Sequence, residues 1–189
     1  MKKVLLVLLA LLFLLSVGCT KTDPVDDTNN GVPDGATIVG LVFASPNFEM
    51  VIYIDNPNWI YYTNKETGQV YFYNPSDSDN NNMISISSYE LQGDGVLQIA
   101  DYWKQMEENY LEIDIVIDKE EIITIADQYE GYMHPFTYNI DDYQLTGSCI
   151  MWATEKKVYI LTTTANEKTK EEIETILDNM LRSFIFNAD

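Results

Sequence analysis

Apolar and aromatic runs cover residues 37–43, 48–54, 59–63, 69–73 and 83–89, and the polar stretches SPN, DNPN, NKETG and PSDSDNNN divide them. Short β-favouring runs separated by Pro, Gly, Asn and Asp predict strands joined by tight turns. Four further runs, about 122–126, 128–138, 143–154 and 158–164, predict more strands, the last three long enough for an antiparallel meander. Within them both faces are apolar. Leu145, Cys149 and Met151 alternate with Ile150 and Trp152, and Val158 and Ile160 alternate with Tyr159 and Leu161. A sheet with two apolar faces needs a layer over each.

Two helical stripes can supply those layers. In LQIADYWKQMEENYL (97–111), Ile99, Tyr102, Trp103, Met106 and Tyr110 recur at helical spacing. A second helix opens at Thr169-Lys170-Glu171-Glu172, which reads as a capping box, and carries Ile173, Ile176, Leu177, Met180 and Leu181 on one face. Phe184 and Phe186 come next and are placed to fix its end against the sheet. The expectation is an α+β fold, an α/β/α sandwich with a central antiparallel sheet and helices packed on both faces. No internal repeat appears, and one domain over 37–189 suffices.

The chain begins differently. Lys2 and Lys3 precede an almost pure Leu/Val/Ala/Phe run from Val4 to Leu15, the layout of a secretory signal peptide. The run is shorter than the roughly 20 residues a spanning helix needs. An ordinary signal peptide would end in an A-x-A pattern, and that is absent. Leu15-Ser16-Val17-Gly18-Cys19 instead resembles the cleavage box of bacterial lipoproteins. The resemblance implies removal of residues 1–18 and a diacylglyceryl group on the Cys19 thiol, joined by a fatty acyl chain such as palmitate. Each buried methylene contributes about 0.8 kcal/mol, and stable anchoring takes more than one chain. Residues 19–36, rich in Asp, Asn, Thr, Pro and Gly, have too little apolar surface to fold and read as a flexible acidic tether. Within it, residues 26–34 (DDTNNGVPD) look like a single acidic calcium repeat without the closing carboxylate, so a tether accounts for them better.

Charge narrows the partners. The chain has 30 acidic and 11 basic residues, and without Lys2 and Lys3 the mature form carries about −21. This argues against nucleic acid and against peripheral attachment to anionic lipid, both of which need Lys and Arg. With Cys19 acylated, Cys149 is the only thiol left, so a monomeric domain must hold together by its own core.

Residues able to do chemistry are sparse. His134 is the only histidine, and in GYMHPF it shares a strand face with Tyr132 and Phe136. A Cys149–His134 pair is conceivable if their strands are neighbours, but a core cysteine and a structural histidine explain both residues. No HExxH, GxSxG, CxxC or phosphate-binding glycine loop occurs. Asp77, Asp79 and Asn81 alternate in the loop before the 83–89 run and present oxygen ligands of the kind calcium takes. A bare hairpin loop explains them better, since Asn82 stands where the turn glycine belongs and Ser88, inside a strand, where the closing carboxylate belongs. Trp59, Tyr61, Tyr71 and Tyr73, with Tyr62 and Phe72, surround the NKETG turn. If one face of those strands lacks a covering layer, their rings form a binding platform, and otherwise they are core.

The succession NPNW, GQVYFYNP, an Asp/Asn loop, MISISSYE, an amphipathic helix, a meander and the ending VYILTTTANEKTKEEIETILDNMLRSFIF resembles the PsbP/Mog1-like superfamily. The resemblance spans about residues 45–186 and lies in the order of elements, most specifically in the closing strand, capped helix and S-F-x-F. It implies the α/β/α sandwich already expected and hands over no activity, although the superfamily includes scaffolding and protein-binding members. No functional residue carries over. The reading is an extracytoplasmic, membrane-anchored, non-catalytic binding or assembly module with an envelope protein as partner. The alternatives are an envelope hydrolase and a cation- or solute-binding protein.

Overall fold

The computed structural model describes residues 40–45, 48–77, 82–113, 115–140 and 143–186. In chain order the elements are β1 (Leu41–Ser45), β2 (Met50–Ile54), β3 (Ile60–Thr63), β4 (Val70–Tyr73), β5 (Met83–Glu90), α1 (Gly95–Glu112), β6 (Val116–Ile117), β7 (Glu121–Ile125), β8 (Tyr129–Ile140), β9 (Tyr143–Ala153), β10 (Lys157–Asn166), α2 (Lys170–Ser183) and β11 (Ile185–Phe186). The large antiparallel sheet has eight strands. Its order is β3-β4-β5-β10-β9-β8-β6, with β7 also pairing along β8.

The expected meander is β8-β9-β10. Its register pairs His134 with Cys149 and Ile150 with Leu161, so successive residues face opposite layers. On one face Val70, Phe72, Ile84, Ile86, Ile150, Trp152, Tyr159 and Leu161 meet Ile173, Ile176, Leu177, Met180 and Leu181 of α2. Beyond the helix end Phe184 stacks on Trp152 at 5.5 Å, and Phe186 lies against Tyr129 at 4.8 Å. On the other face Ile99 of α1 packs on Cys149, Met151 and Val158, while Tyr110 packs with Phe136, Tyr138 and Leu145.

The layers differ from expectation in one respect. The runs expected at 37–43 and 48–54 do not extend the large sheet. As β1 and β2 they pair with each other and, through β2, with β11, giving a separate three-stranded sheet. That sheet sits beside α2, because Phe43, Met50, Ile52 and Ile54 all bury into the α2-side core. A two-residue strand such as β11 has no periodicity of its own to read.

The helix starts also differ. α1 opens at Gly95, two residues before the apolar stripe, because the Asp94 carboxylate accepts from the N–H groups of Val96 (2.8 Å) and Leu97 (3.3 Å). The capping box at α2 does not form. The Thr169 side chain makes no cap bond. Its hydroxyl is engaged by Asn82 Oδ1 and Asn166 Oδ1 instead, and Glu172 accepts from Asn56 Nδ2 at 3.2 Å. Both side chains are drawn into tertiary bonds that a local motif does not anticipate.

Candidate interaction surface

The residues best suited to catalysis are closed in. His134 and Cys149 are indeed opposite each other across β8 and β9, on the face under α1. The imidazole lies flat against Trp103 of α1, ring centroids 3.5 Å apart and 5° from parallel, with Nε2 3.5 Å from Glu120 Oε2. Burial pulls its pKa below the ordinary value, against the opposing fields of Glu120 and Glu107. The Cys149 sulfur meets Met106 Sδ at 3.8 Å and is sealed from solvent. Burial pushes its pKa up to about 12, the reverse of what a nucleophilic thiolate needs. Burial favours the protonated thiol and the neutral imidazole, and both are packed under α1 rather than open to a substrate.

The acidic loop is only partly described. Asp77 accepts from Asn82 Nδ2, and Asn82 Oδ1 in turn is bonded by Thr169 Oγ1 and by the N–H of Asn166 at 3.2 Å. Asn82 thus ties this loop to the start of α2. Asp79 and Asn81 lie outside the described residues, as do Cys19 and the tether. Among the described residues no group of three or more His, Cys, Asp or Glu side chains is arranged to hold a metal ion.

The aromatic cluster divides by face. Trp59 is buried, and Tyr61 packs on the α2 side with Phe43 (5.0 Å) and Phe72 (6.3 Å). These two are core. Ile60, Tyr62, Tyr71 and Tyr73 lie on the opposite face of β3 and β4 and so look toward the α1 side, where register places Met83 beside Tyr73 and Ser85 beside Tyr71. The body of α1 packs on β9 and β10, and at its margin Tyr102 meets Tyr89 of β5 at 5.1 Å. It does not extend over β3 and β4. Ile60 is consequently 40% exposed, Tyr62 39% and Tyr89 43%. Tyr62 stacks on Tyr71 at 6.1 Å, the Tyr71 hydroxyl donates to Gln69 Oε1 at 2.8 Å, and Gln69 Nε2 donates to Ser85 Oγ at 3.3 Å. The result is a strip of rings held in place by polar side chains at its edge. Separately, a shallow depression of about 330 Å³ lies along the first turns of α1, lined by Gln92, Asp94, Leu97, Gln98, Asp101 and Tyr102 among others.

Alternation along the strands separates Tyr71 and Tyr73 from Phe72, and Tyr62 from Tyr61. Tyr89, Tyr102 and Met83 were missed as members of the strip, because which strands a helix leaves bare is decided by its crossing position.

No family model matches the chain, and no curated protein matches it. Solved structures do. The cyanobacterial PsbP (CyanoP) of Synechocystis aligns with a TM-score of 0.59 at 14% identity, covering 82% of this chain and 98% of that one. A protein from Bacteroides thetaiotaomicron aligns at 0.57 and 14% identity over 80% of this chain, which spans only 50% of that protein's length. LpqN of Mycobacterium tuberculosis, described as involved in cell envelope biogenesis, aligns at 0.52 and 8% identity, covering 82% and 88%. At such identities the likeness concerns fold alone. By these alignments the chain has a PsbP-like fold.

Proposed function

We propose that the protein is an extracytoplasmic binding or assembly module, held at the membrane by lipid on Cys19, that recruits an envelope protein through the β3–β5 strip. One observation carries the binding half of the reading. Ile60, Tyr62 and Tyr89 stand open on a rigid sheet while the groups suited to catalysis are sealed. Exposed patches that include aromatic rings mark interaction sites, and Tyr contributes large contact area with little entropy to lose. The leader and the Leu15–Cys19 box support the anchor. Among the described residues no helix is long and apolar enough to cross a membrane. The likeness to LpqN agrees with a place in the envelope.

Two measurements test the reading. Mass spectrometry of the membrane-extracted protein is expected to find the chain beginning at an acylated Cys19, and Cys19→Ser is expected to release the domain from the membrane fraction. An unmodified Cys19 in a membrane-free protein removes the anchor. Affinity capture from solubilised membranes is expected to retain a partner with the native protein and lose it with Ile60→Thr/Tyr62→Ser. Equal capture by both removes the strip from the function.

A further inference from the structure

The backbone at the edge of β3 specifies how a partner is held. β3 is an edge strand of the large sheet and, among the described residues, pairs with β4 alone, in the register Ile60–Tyr73, Tyr61–Phe72, Tyr62–Tyr71 and Thr63–Val70. The same register runs on to Asn64 and Gln69, where the Asn64 N–H donates to the Gln69 carbonyl at 2.8 Å. Directly opposed residues in an antiparallel ladder alternate between hydrogen-bonded and non-hydrogen-bonded pairs. Counting back from Asn64, Tyr62 and Ile60 turn their backbone groups toward β4, while Tyr61 and Thr63 turn theirs outward. Two N–H and two C=O groups thus line the edge, with no partner among the described residues. Sheet edges are ordinarily guarded by charge, proline or brevity. The opposite edge of the sheet follows that rule: β6 has two residues, β7 opens at Glu121, and Asp118, Lys119 and Glu120 join them. β3 (IYYT) contains no charge and no proline. Its rings also hold it in place, Tyr61 against Phe43 at 5.0 Å on the α2 side and Tyr62 on Tyr71 at 6.1 Å on the other.

Resting on the binding reading above, we infer that β3 takes up an extended peptide segment of a second protein as an added antiparallel strand, with a bulky apolar side chain opposite Tyr62. The outward groups of Tyr61 and Thr63 are the complement of a peptide backbone, and main-chain bonds of this kind supply affinity while alternate side chains supply selection. The residue opposite Tyr62 points to the α1 side, where Ile60 and Tyr62 stand exposed. Its two neighbours point to the α2 side, beside Tyr61 and Thr63. The turn at Pro57 and Asn58 and the turn that follows Asn64 confine the added strand to about the four residues of β3. The formal charge of −19 opposes the pairing of two copies along this edge, so the segment comes from a different protein.

Strand addition leaves a backbone signature that side-chain contact alone does not. A photo-crosslinking aromatic residue placed at position 62 of the full lipidated protein, activated in intact cells, is expected to join to a different protein of the envelope. Hydrogen exchange then compares the purified conjugate with the free protein. The Tyr61 and Thr63 amides are expected to exchange at least about tenfold more slowly in the conjugate. Equally fast exchange in both overturns strand addition and leaves the binding reading standing. A cross-link between two copies of this chain overturns the assignment to a second protein, and no cross-link at all overturns both readings. A pair of variants tests the same edge independently. Thr63→Pro removes one outward N–H and spares the ladder to β4, which a urea midpoint near that of the native protein verifies. Its cross-link yield is expected to fall at least about tenfold. Thr63→Val keeps the N–H and is expected to cross-link as the native protein does. Equal yields from the two variants refute strand addition.

Discussion

On the α1 side of the large sheet, two neighbouring stretches are made of similar residues and meet different environments. Across β8, β9 and β10, the rings and aliphatic chains of Phe136, Tyr138, Met151 and Val158 lie under Ile99, Met106 and Tyr110. Across β3, β4 and β5, Ile60, Tyr62 and Tyr89 stay two-fifths exposed. Composition does not separate the two stretches. What separates them is the path of an 18-residue helix that covers three strands and stops short of the rest. Burial at about 25 cal/mol per Å² makes the first stretch a stability element, while the second keeps that free energy available for a partner. Mutations under a helix should therefore cost stability, and mutations beyond α1 should cost binding.

The largest effect is expected where both layers are complete. Trp152 is fully buried on the α2 side, stacked between Tyr159 at 5.0 Å and Phe184 at 5.5 Å. Trp152→Ala should cost about 3–5 kcal/mol, read as a lowered urea midpoint with the slope unchanged. A loss under about 1 kcal/mol would mean this layer is no tighter than the open strip.

Next comes the helix-covered half of the other face. Cys149→Ser puts a stronger hydrogen-bonding group among Met106, Met151 and Ile99 and should cost about 1–3 kcal/mol. With its pKa raised to about 12, the native thiol should also resist alkylation until the protein unfolds. Rapid labelling of the folded protein at neutral pH would show α1 to be a loose cover and blur the contrast between the two stretches.

His134 gives a subtler measure of the same cover. Its folded pKa lies below the ordinary 6.5 because it is buried under Trp103, and Glu120, Glu107 and the neutral Cys149 do not reverse this. A depressed pKa means that the unfolded chain takes up a proton near pH 6.5 that the folded protein does not yet accept. The stability due to neutral His134 is therefore complete above pH 6.5 and is lost as pH falls through the interval down to the folded value. Between pH 6.5 and about pH 5 most carboxylates stay ionised, so the slope can be isolated there. His134→Phe keeps a flat ring against Trp103 and should flatten stability over that interval. An unchanged slope in the variant would assign the pH dependence to other groups.

Most of the architecture is legible in the sequence because its strongest signals are local. Alternation separates Ile150 and Trp152 from Cys149 and Met151 in 143–154, and Tyr159 and Leu161 from Val158 and Ile160 in 158–164, and the β9–β10 register joins these sets into two layers. Periodicity located both helices. Long-range pairing was not legible. Nothing in Ile185–Phe186 announces that it joins Met50 and Val51 in a second sheet, and nothing in Thr169–Glu172 shows that Asn82 and Asn56 compete for the capping side chains. The candidate surface was half legible for the same reason. Strand alternation puts Tyr71 and Tyr73 on the side away from Phe72, but only the crossing position of α1 leaves Ile60 and Tyr62 on that side exposed, while Tyr71 is buried.

The smallest stability effect belongs to the open stretch, and there the two halves of the comparison separate most clearly. Ile60→Thr and Tyr62→Ser change residues that are already two-fifths exposed in β3, an edge strand. Thr is well suited to an edge strand, and Tyr62→Ser removes a partly exposed ring together with its 6.1 Å stack on Tyr71. Each change should cost no more than about 1 kcal/mol. Partner capture should nevertheless fall, because contact area at the centre of a small interface is concentrated in a few rings. A loss of several kcal/mol with capture intact would identify the strip as core that shows through to the surface. The protein would then have two closed faces, and its partner would have to bind elsewhere.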